Sequence, residues 1–429
     1  MNFMSLHISI IGGGYVGLVT GACFAQLGNK VTIIEIDQRK IDSINKGIPP
    51  IYEEGLEEIL KKNSGTRLFA TNSYASVAES DVSIICVGTP PNPDGSSNLE
   101  YIRSAATSIG EALKDNTRYH VITVKSTVPP GTTEKIVLPE VRRNSGRDSD
   151  TLGFCMNPEF LREGRAIEDF LHPDRIVIGS SDEQAEEVLK NLYSTLNAPI
   201  ISTSLTAAEM IKYTANSFLA TKISFSNEIG NICKKLGIDV YDVMKGAGLD
   251  HRIGSHFLNA GAGFGGSCFP KDVSALISLA ESVGERPQLL HAVIEINEKQ
   301  PHKMLELVRK RIGDLKGKRI AVLGLAFKDN TDDIRDSRSI PVIEELIKEG
   351  ADVIAYDPMA MINMKRLFPS ITYAKSIKDV LKDADGCLIM TEWPEFSHLS
   401  EEFSLMKQPP VILEGRRIIK RPEVEGICW

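Results

Sequence analysis

A chain of 429 residues, 42% hydrophobic and 25% charged, has enough apolar material for two or three domains with cores of their own. Its net charge of −8, with no long Lys/Arg block, excludes a nucleic-acid surface built on bulk positive charge. A charged substrate must then be met by individual cations in a pocket, and the lack of any eighteen-residue apolar run excludes a membrane-spanning helix.

His7–Ile11 reads as a short apolar strand that begins almost at once, which leaves no room for a cleaved leader. Gly12-Gly13-Gly14-Tyr15-Val16-Gly17 follows, then a helical pattern to about Leu27 and a second strand, Val31–Ile36, with Glu35 near its end. Strand, GxGxxG, helix, strand and terminal acid form the dinucleotide-binding arrangement. The glycines permit a tight turn and let a pyrophosphate sit on the helix N-terminus. Glu35 is expected to accept bonds from ribose hydroxyls and to repel a 2′-phosphate, which favours NAD over NADP; the alternative is a surface acid at a strand end.

Further strands are expected at Val82–Val87, His120–Lys125, Gly153–Met156 and Ile176–Ile178, with helical segments between them. That alternation predicts a parallel, doubly wound sheet. Its strand ends carry Gly88-Thr89-Pro90-Pro91, Ser126–Gly131 and Asn157-Pro158-Glu159-Phe160, and Pro90–Ser97 reads as a surface excursion. From Thr206 to Glu298 strand patterning disappears. Ala207–Leu236 is a long helical candidate on which Glu209, Lys212 and Asn216 share a face. Their neighbours are mostly apolar, so a lysine there needs a ligand or partner; a solvated charged stripe is the alternative.

Residues 261–272, Gly-Ala-Gly-Phe-Gly-Gly-Ser-Cys-Phe-Pro-Lys-Asp, hold the densest chemistry. Pro270 suits a first helical turn, which places Cys268 at or just before a helix N-terminus. The helix dipole and Lys271 there favour the thiolate, and Asp272 stands within a turn as a base or water-holder. The alternative is an inert cysteine after a glycine-rich bend. The other cysteines, Cys23, Cys86, Cys155, Cys233 and Cys387 among them, fall in apolar strand-like or helix-like runs. Seven cysteines without a CxxC or a His/Cys cluster predict free thiols in a reducing cytoplasm and no metal site.

After the polar Gly313–Lys318 linker, Arg319–Gly324, Ser339–Glu349 and Val353–Tyr356 repeat the strand–helix–strand logic, followed by strands at Gly386–Met390 and Val411–Leu413. Gly324-Leu325-Ala326-Phe327-Lys328 stands where a GxGxxG would be. This half is expected to bind something other than a complete dinucleotide.

Taken together, these residues resemble the nucleotide-sugar 6-dehydrogenases over nearly the whole chain. The stretches that carry the resemblance are Gly12–Gly17, Lys125–Gly131, Asn157–Gly164, His172–Gly179, Lys212–Asn216, Gly263–Asp272, Phe327–Ser337 and Glu414–Arg417. Within that family they are most similar to the UDP-glucose branch. The GDP-mannose branch usually has leucine at the position of Phe269, and the N-acetylmannosamine branch has histidine at that of Ser267. Oxidation of another nucleotide sugar, or a regulatory protein that keeps the fold without the chemistry, are the rival readings.

The resemblance implies two Rossmann-like doubly wound parallel-sheet domains joined by a central helical domain with a long helix. The blocks are an NAD-binding domain (1–203), a central dimerisation domain (204–300) and a UDP-sugar-binding domain (301–429). It implies four-electron oxidation of UDP-glucose to UDP-glucuronate with two NAD per sugar, through a thiohemiacetal and thioester on Cys268. Cys268, Lys212, Asn216, Asp272, Glu159 and Thr127 are the implied catalytic residues. Cofactor contacts carry over to Gly12, Gly14, Tyr15, Val16, Gly17, Glu35, Lys40, Thr89, Thr127, Glu163, Lys271 and Arg335. Substrate contacts carry over to Glu159, Phe160, Leu161, Glu163, Lys212, Asn216, Phe257, Leu258, Asn259, Gly265, Lys328 and Arg417 (with Arg416 its alternative), and to Arg252, which reaches the neighbouring subunit's site in a homodimer. Two departures stand out: Glu35 replaces the family's usual aspartate, and Asn259 occupies a variable position.

Overall fold

The computed structural model describes residues 5–429, apart from the side chain of Ser149. The chain divides into two compact units, Met1–Ala215 and Asn216–Trp429.

Runs such as Ile8–Ile11 and Val82–Ile85 are buried on both faces, the signature of strands covered by helices on either side. In the first unit they form eight strands: β1 (His7–Ile11), β2 (Lys30–Ile34), β3 (Leu68–Thr71), β4 (Val82–Ile85), β5 (His120–Val124), β6 (Leu152–Met156), β7 (Ile176–Ser180) and β8 (Ile200–Thr203). Their order in the sheet is β3-β2-β1-β4-β5-β6-β7-β8. Ile8, Ile10, Val31, Ile33, Val82 and Ile84 pack into one core, and Ile11, Ile34, Ile85, Ile122, Val124 and Phe154 into another. The parallel doubly wound expectation holds from β3 through β6. The β6–β7 pair is antiparallel, with Cys155 opposite Ser180, and β8 then runs parallel to β7. The helix between β6 and β7, Ala166–Leu171, has only six residues, too short a crossover to return the chain for a parallel pairing.

The second unit holds a six-stranded, all-parallel sheet: β9 (Arg319–Leu323), β10 (Asp352–Tyr356), β11 (Thr372–Tyr373), β12 (Gly386–Ile389), β13 (Ile412–Glu414) and β14 (Val424–Gly426), in the order β11-β10-β9-β12-β13-β14. Both sheets therefore contain the 3-2-1-4-5-6 strand order, whose reversal beside the first strand is where such folds bind ligands. A 32-residue helix, Leu205–Leu236, supplies its first part to the first unit and the rest to the second. The helices Val240–Gly248, Phe269–Ser282 and Gln288–Ile312 follow it in the second unit ahead of the sheet, and Ser339–Lys348, Met361–Leu367 and Ile377–Leu381 lie between its strands. No helix among the described residues is long and apolar enough to cross a membrane.

The first turn of each sheet has the same geometry and a different content. Gly12 (φ +101°) donates its N–H to Ile34 O at 2.8 Å, and Gly324 (φ +96°) donates to Tyr356 O at 2.9 Å. The acid after the second strand is Glu35 in one unit and Asp357 in the other. Asp357, fully buried, accepts from Leu325 N (2.7 Å) and Ala326 N (3.1 Å) of the turn, from Met359 N and Ala360 N (both 2.8 Å), and from the Trp393 indole (3.0 Å). The amides that a pyrophosphate would need are already taken. In the first turn, by contrast, Glu35 takes one amide, that of Gly13.

Replacing Asp357 with alanine leaves four backbone donors and an indole unpaired, and is expected to destabilise the second unit by about 3 kcal/mol or more. Urea unfolding followed by Trp fluorescence measures it, with NAD affinity expected to be retained while the protein is folded.

Candidate active site

The helix Tyr15–Gln26 starts without a side-chain cap, at Gly14. An added Cβ on Gly14 meets nothing within 4 Å, whereas one on Gly17 falls 1.9 Å from Gly12 O and one on Gly12 falls 3.0 Å from Cys86 O. Two glycines thus allow the chain to close on itself, and the third leaves the helix N-terminus open. That is the geometry a pyrophosphate requires. Glu35 is buried, and its oxygens accept from Gly13 N (3.0 Å), Ile36 N (2.7 Å) and Asp37 N (3.0 Å), with Lys40 Nζ 3.8 Å away. Glu35 thus braces the glycine turn and the start of the following helix from one buried position. Thr89 Oγ1 donates to Thr127 O at 2.9 Å, tying together the loops after β4 and β5.

The loop after β6 carries Glu159, and the long helix carries Lys212. Lys212 Nζ donates to Glu159 Oε1 at 2.9 Å, both side chains being almost wholly buried, and Leu161 N donates to Glu159 Oε2 at 2.6 Å. Burial alone would raise the Glu159 carboxyl. The adjacent Lys212 charge and bond, the Leu161 amide and the Lys125 charge outweigh it and hold the group below its ordinary value. Glu159 is therefore an anchored carboxylate. Phe160 lies between two cations, the Arg175 guanidinium 3.6 Å from its ring centre and Lys212 Nζ at 5.3 Å. Glu209, on the same helix face, takes a different part: it accepts from Gly131 N, from Thr133 N and from Thr133 Oγ1, fastening the long helix to the loop after β5.

In the second unit Cys268 is the N-terminal flanking residue of the helix Phe269–Ser282, which has Pro270 in its first turn, as expected. It is part-exposed, while the other six cysteines are buried. Burial pushes the Cys23, Cys86 and Cys428 thiols up to about 12, which keeps them inert. Cys268 Sγ lies 3.6 Å from Ser267 Oγ. One turn on, buried Asp272 accepts from Asn216 Nδ2 and from Lys271 Nζ, each at 2.6 Å. The glycines before Cys268 approach the chain's own backbone: a Cβ on Gly265 would stand 2.2 Å from Asp336 O, and Gly266 (φ +84°) donates its N–H to Arg335 O at 2.8 Å.

The remaining predicted residues have these placements. Phe257 adopts a left-handed φ of +64°, Leu258 is in the core and Asn259 is exposed. Arg252 is exposed and forks onto Asp250, and Arg335 forks onto Asp333. Lys328 Nζ donates to Asp329 O at 3.3 Å. Arg417 pairs with Asp239 with its guanidinium 4.7 Å from the Tyr241 ring centre, and Arg416 donates to Gly263 O at 2.8 Å. Glu163 is half-buried in the loop that begins at Asn157.

One residue of the site escaped the sequence reading as anything but a strand end. Lys125, at the end of β5 and 4% exposed, donates to Asn157 Oδ1 (2.9 Å) and Tyr193 OH (3.2 Å). Tyr193 OH also donates to Asn157 Oδ1 at 2.5 Å, and Asn157 Nδ2 donates to Val177 O at 2.8 Å. The signal was a lysine ending an otherwise apolar strand. Burial lowers its ammonium from 10.5 to about 8, opposed by the nearby Cys86 and Glu159 and reinforced by Lys212. The unfolded chain thus binds the proton more tightly, and this group's contribution to stability rises between pH about 8 and about 10.5 and is flat below. Comparing urea midpoints of wild type and Lys125→Met across that window should show wild type gaining on the variant with pH.

Three family models of the UDP-glucose/GDP-mannose dehydrogenase family match the chain in succession: the NAD binding domain over residues 6–197, the central domain over 206–299 and the UDP binding domain over 321–421. Among characterised relatives, the UDP-glucose 6-dehydrogenase AglM of Haloferax volcanii is 47% identical over 97% of this chain and 98% of its own length. A UDP-glucose dehydrogenase from the archaeon Pyrobaculum islandicum superposes with a TM-score of 0.95 at 42% identity, covering 100% of this chain and 99% of that one. A UDP-D-ManNAc dehydrogenase from Pyrococcus horikoshii superposes with a TM-score of 0.88 at 30% identity, covering 98% and 99%. With an open pyrophosphate turn in the first sheet and full-length agreement in sequence and fold, the chain is an NAD-dependent oxidoreductase belonging to the UDP-glucose/GDP-mannose dehydrogenase family.

Proposed function

We propose that the chain oxidises the C6 alcohol of UDP-glucose to the carboxylate of UDP-glucuronate, consuming two NAD per sugar and using Cys268 as a covalent anchor. The observation that carries this is the setting of Cys268. It is the one part-exposed cysteine, it opens a helix, and it stands one turn from an Asn216–Asp272–Lys271 cluster. The aromatic at 269 and the serine at 267 agree with the UDP-glucose branch, as do the names of two relatives that match nearly the whole chain.

Gly12, Gly14, Tyr15, Val16, Gly17, Glu35, Lys40, Thr89, Glu163, Lys271 and Arg335 hold the cofactor in this reading, and NAD supplies the acceptor for one hydride in each oxidation. Lys212 and Asn216 donate hydrogen bonds to the C6 oxygen as negative charge develops on it. Asp272 accepts the hydroxyl proton, directly or through water. The Cys268 sulfur then bonds to C6 of the aldehyde, whose oxygen takes a proton, giving a thiohemiacetal. Loss of the second hydride from C6 to the second NAD, with the hydroxyl proton passing to Asp272 directly or through water, leaves a thioester. Water positioned by Thr127 and deprotonated by Glu159 or Asp272 breaks the S–C6 bond, releasing the thiolate and the carboxylate. Glu159 suits that task because it is already ionised and held at one oxygen by Lys212. Phe160, Leu161, Phe257, Leu258, Asn259, Gly265, Lys328 and Arg417 serve to bind the UDP-sugar.

Three functional blocks follow, 1–203 for NAD, 204–300 for dimerisation and 301–429 for UDP-sugar, in a cytoplasmic homodimer in which Arg252 reaches the neighbouring site. Phe218, Phe225 and Ile232 support the dimer: they repeat every seven residues on one face of the long helix and are each half or more exposed.

UDP-glucose turnover should yield two NADH per sugar consumed, by absorbance against chromatographic quantitation of the uronate. Activity with GDP-mannose or a UDP-hexosamine, and none with UDP-glucose, would sink the substrate assignment. Cys268→Ser should lower uronate formation by about 10³-fold or more and stall after the aldehyde. Uronate formed at the wild-type rate would remove the thioester. Phe225→Glu should run as a monomer in light scattering.

A further inference from the structure

Glu53 belongs to no helix or strand and has no place in the reading above, yet it is 5% exposed and fully engaged. Its Oε2 accepts from the Tyr15 hydroxyl and from Gly164 N at 2.8 Å; its Oε1 accepts from Ala166 N at 2.7 Å. Gly164 N also donates to Tyr15 OH at 2.9 Å, so hydroxyl, amide and carboxylate form a closed triangle. Burying a carboxylate is costly unless donors surround it, and here two of them are backbone amides, of Gly164 and of Ala166 at the start of the helix Ala166–Leu171. Tyr15 is the first residue of the helix whose N-terminus is open to a pyrophosphate. Gly164, in a left-handed conformation at φ +81°, ends the loop that begins at Asn157 and carries Glu159 and Glu163. One carboxylate therefore joins the cofactor turn to that loop.

We propose that Glu53 is a positioning residue that holds the Asn157–Gly164 loop in register with the pyrophosphate turn. It acts on NAD through Tyr15 and on Glu159 and Glu163 through Gly164. The second half of this claim rests on the proposed dehydrogenase function; the first half rests on NAD binding alone.

Glu53→Gln keeps the shape but places an amide NH₂ against groups that already donate. It should weaken NAD binding by about 5–20-fold in calorimetry of the binary complex, and lower kcat by about tenfold at saturating NAD with the KM for UDP-glucose little changed. Tyr15→Phe removes one corner of the triangle and leaves both amide bonds. It should weaken NAD less than Glu53→Gln does, and add almost nothing in the Glu53→Gln background. A Glu53→Gln protein that binds NAD and turns over like wild type would overturn the proposal. So would a lowered melting temperature with unchanged binding and kinetic constants, or fully additive effects of the two substitutions. If the wild-type protein binds NAD but leaves UDP-glucose untouched, the substrate reading fails and the calorimetric arm still decides the role of Glu53.

Discussion

Backbone N–H groups in the loops at the carboxyl edge of each sheet turn away from water, and each one left unpaired costs about 1–3 kcal/mol. In this chain buried carboxylates supply the acceptors. Glu35 takes Gly13, Ile36 and Asp37; Glu53 takes Gly164 and Ala166; Glu159 takes Leu161; Glu209 takes Gly131 and Thr133. In the second unit Asp357 takes four amides, and Glu414 takes those of Ile418 and Ile419. The loops that carry Glu35, Thr127, Glu159 and Glu163 are fixed in this way, whereas the loop of Thr89 is tied by its own hydroxyl to Thr127 O. The loops therefore behave as part of the scaffold.

That solution concentrates negative charge, and the cations near it settle which carboxylates remain ionised. Lys212 bonds Glu159 directly, and Lys125 adds its field from behind the Asn157 amide. The balance is local. Glu159 ends below its ordinary value, whereas burial pushes Glu414 up to about 7 and raises Glu209. Glu159 thus combines one backbone amide with one lysine, while Glu209 is held by the amides and hydroxyl of the loop after β5.

The two sheets share one strand order and put it to different use. The first leaves its helix N-terminus open at Gly14, with a glutamate long enough to brace the turn from the side. The second fills the corresponding turn with the shorter Asp357, closed over by Trp393. Set against the same glycine geometry at Gly12 and Gly324, Glu35 takes one amide of its turn and Asp357 takes two.

Much of this was legible from residue order. The glycine turn, the acid at Glu35, the long helix, the position of Cys268 before a proline-started helix and the absence of GxGxxG in the second half all depend on near neighbours in sequence. Local sterics and periodicity determine them. The short edge strands β3, β8, β11 and β14 were missed because two to four residues each carry too little pattern. Glu53, Lys125 and the fastening role of Glu209 were hidden for another reason: Glu53 finds its partners more than a hundred residues away at Gly164 and Ala166, and Glu209 finds its own more than seventy away at Gly131 and Thr133. The sequence alone determined the glycine turns, the helix starts and the place of Cys268 before its helix, because these are local properties. Only the tertiary structure decided which charges are buried together and which amides are already spent, because burial and long-range pairing exist only once distant segments meet.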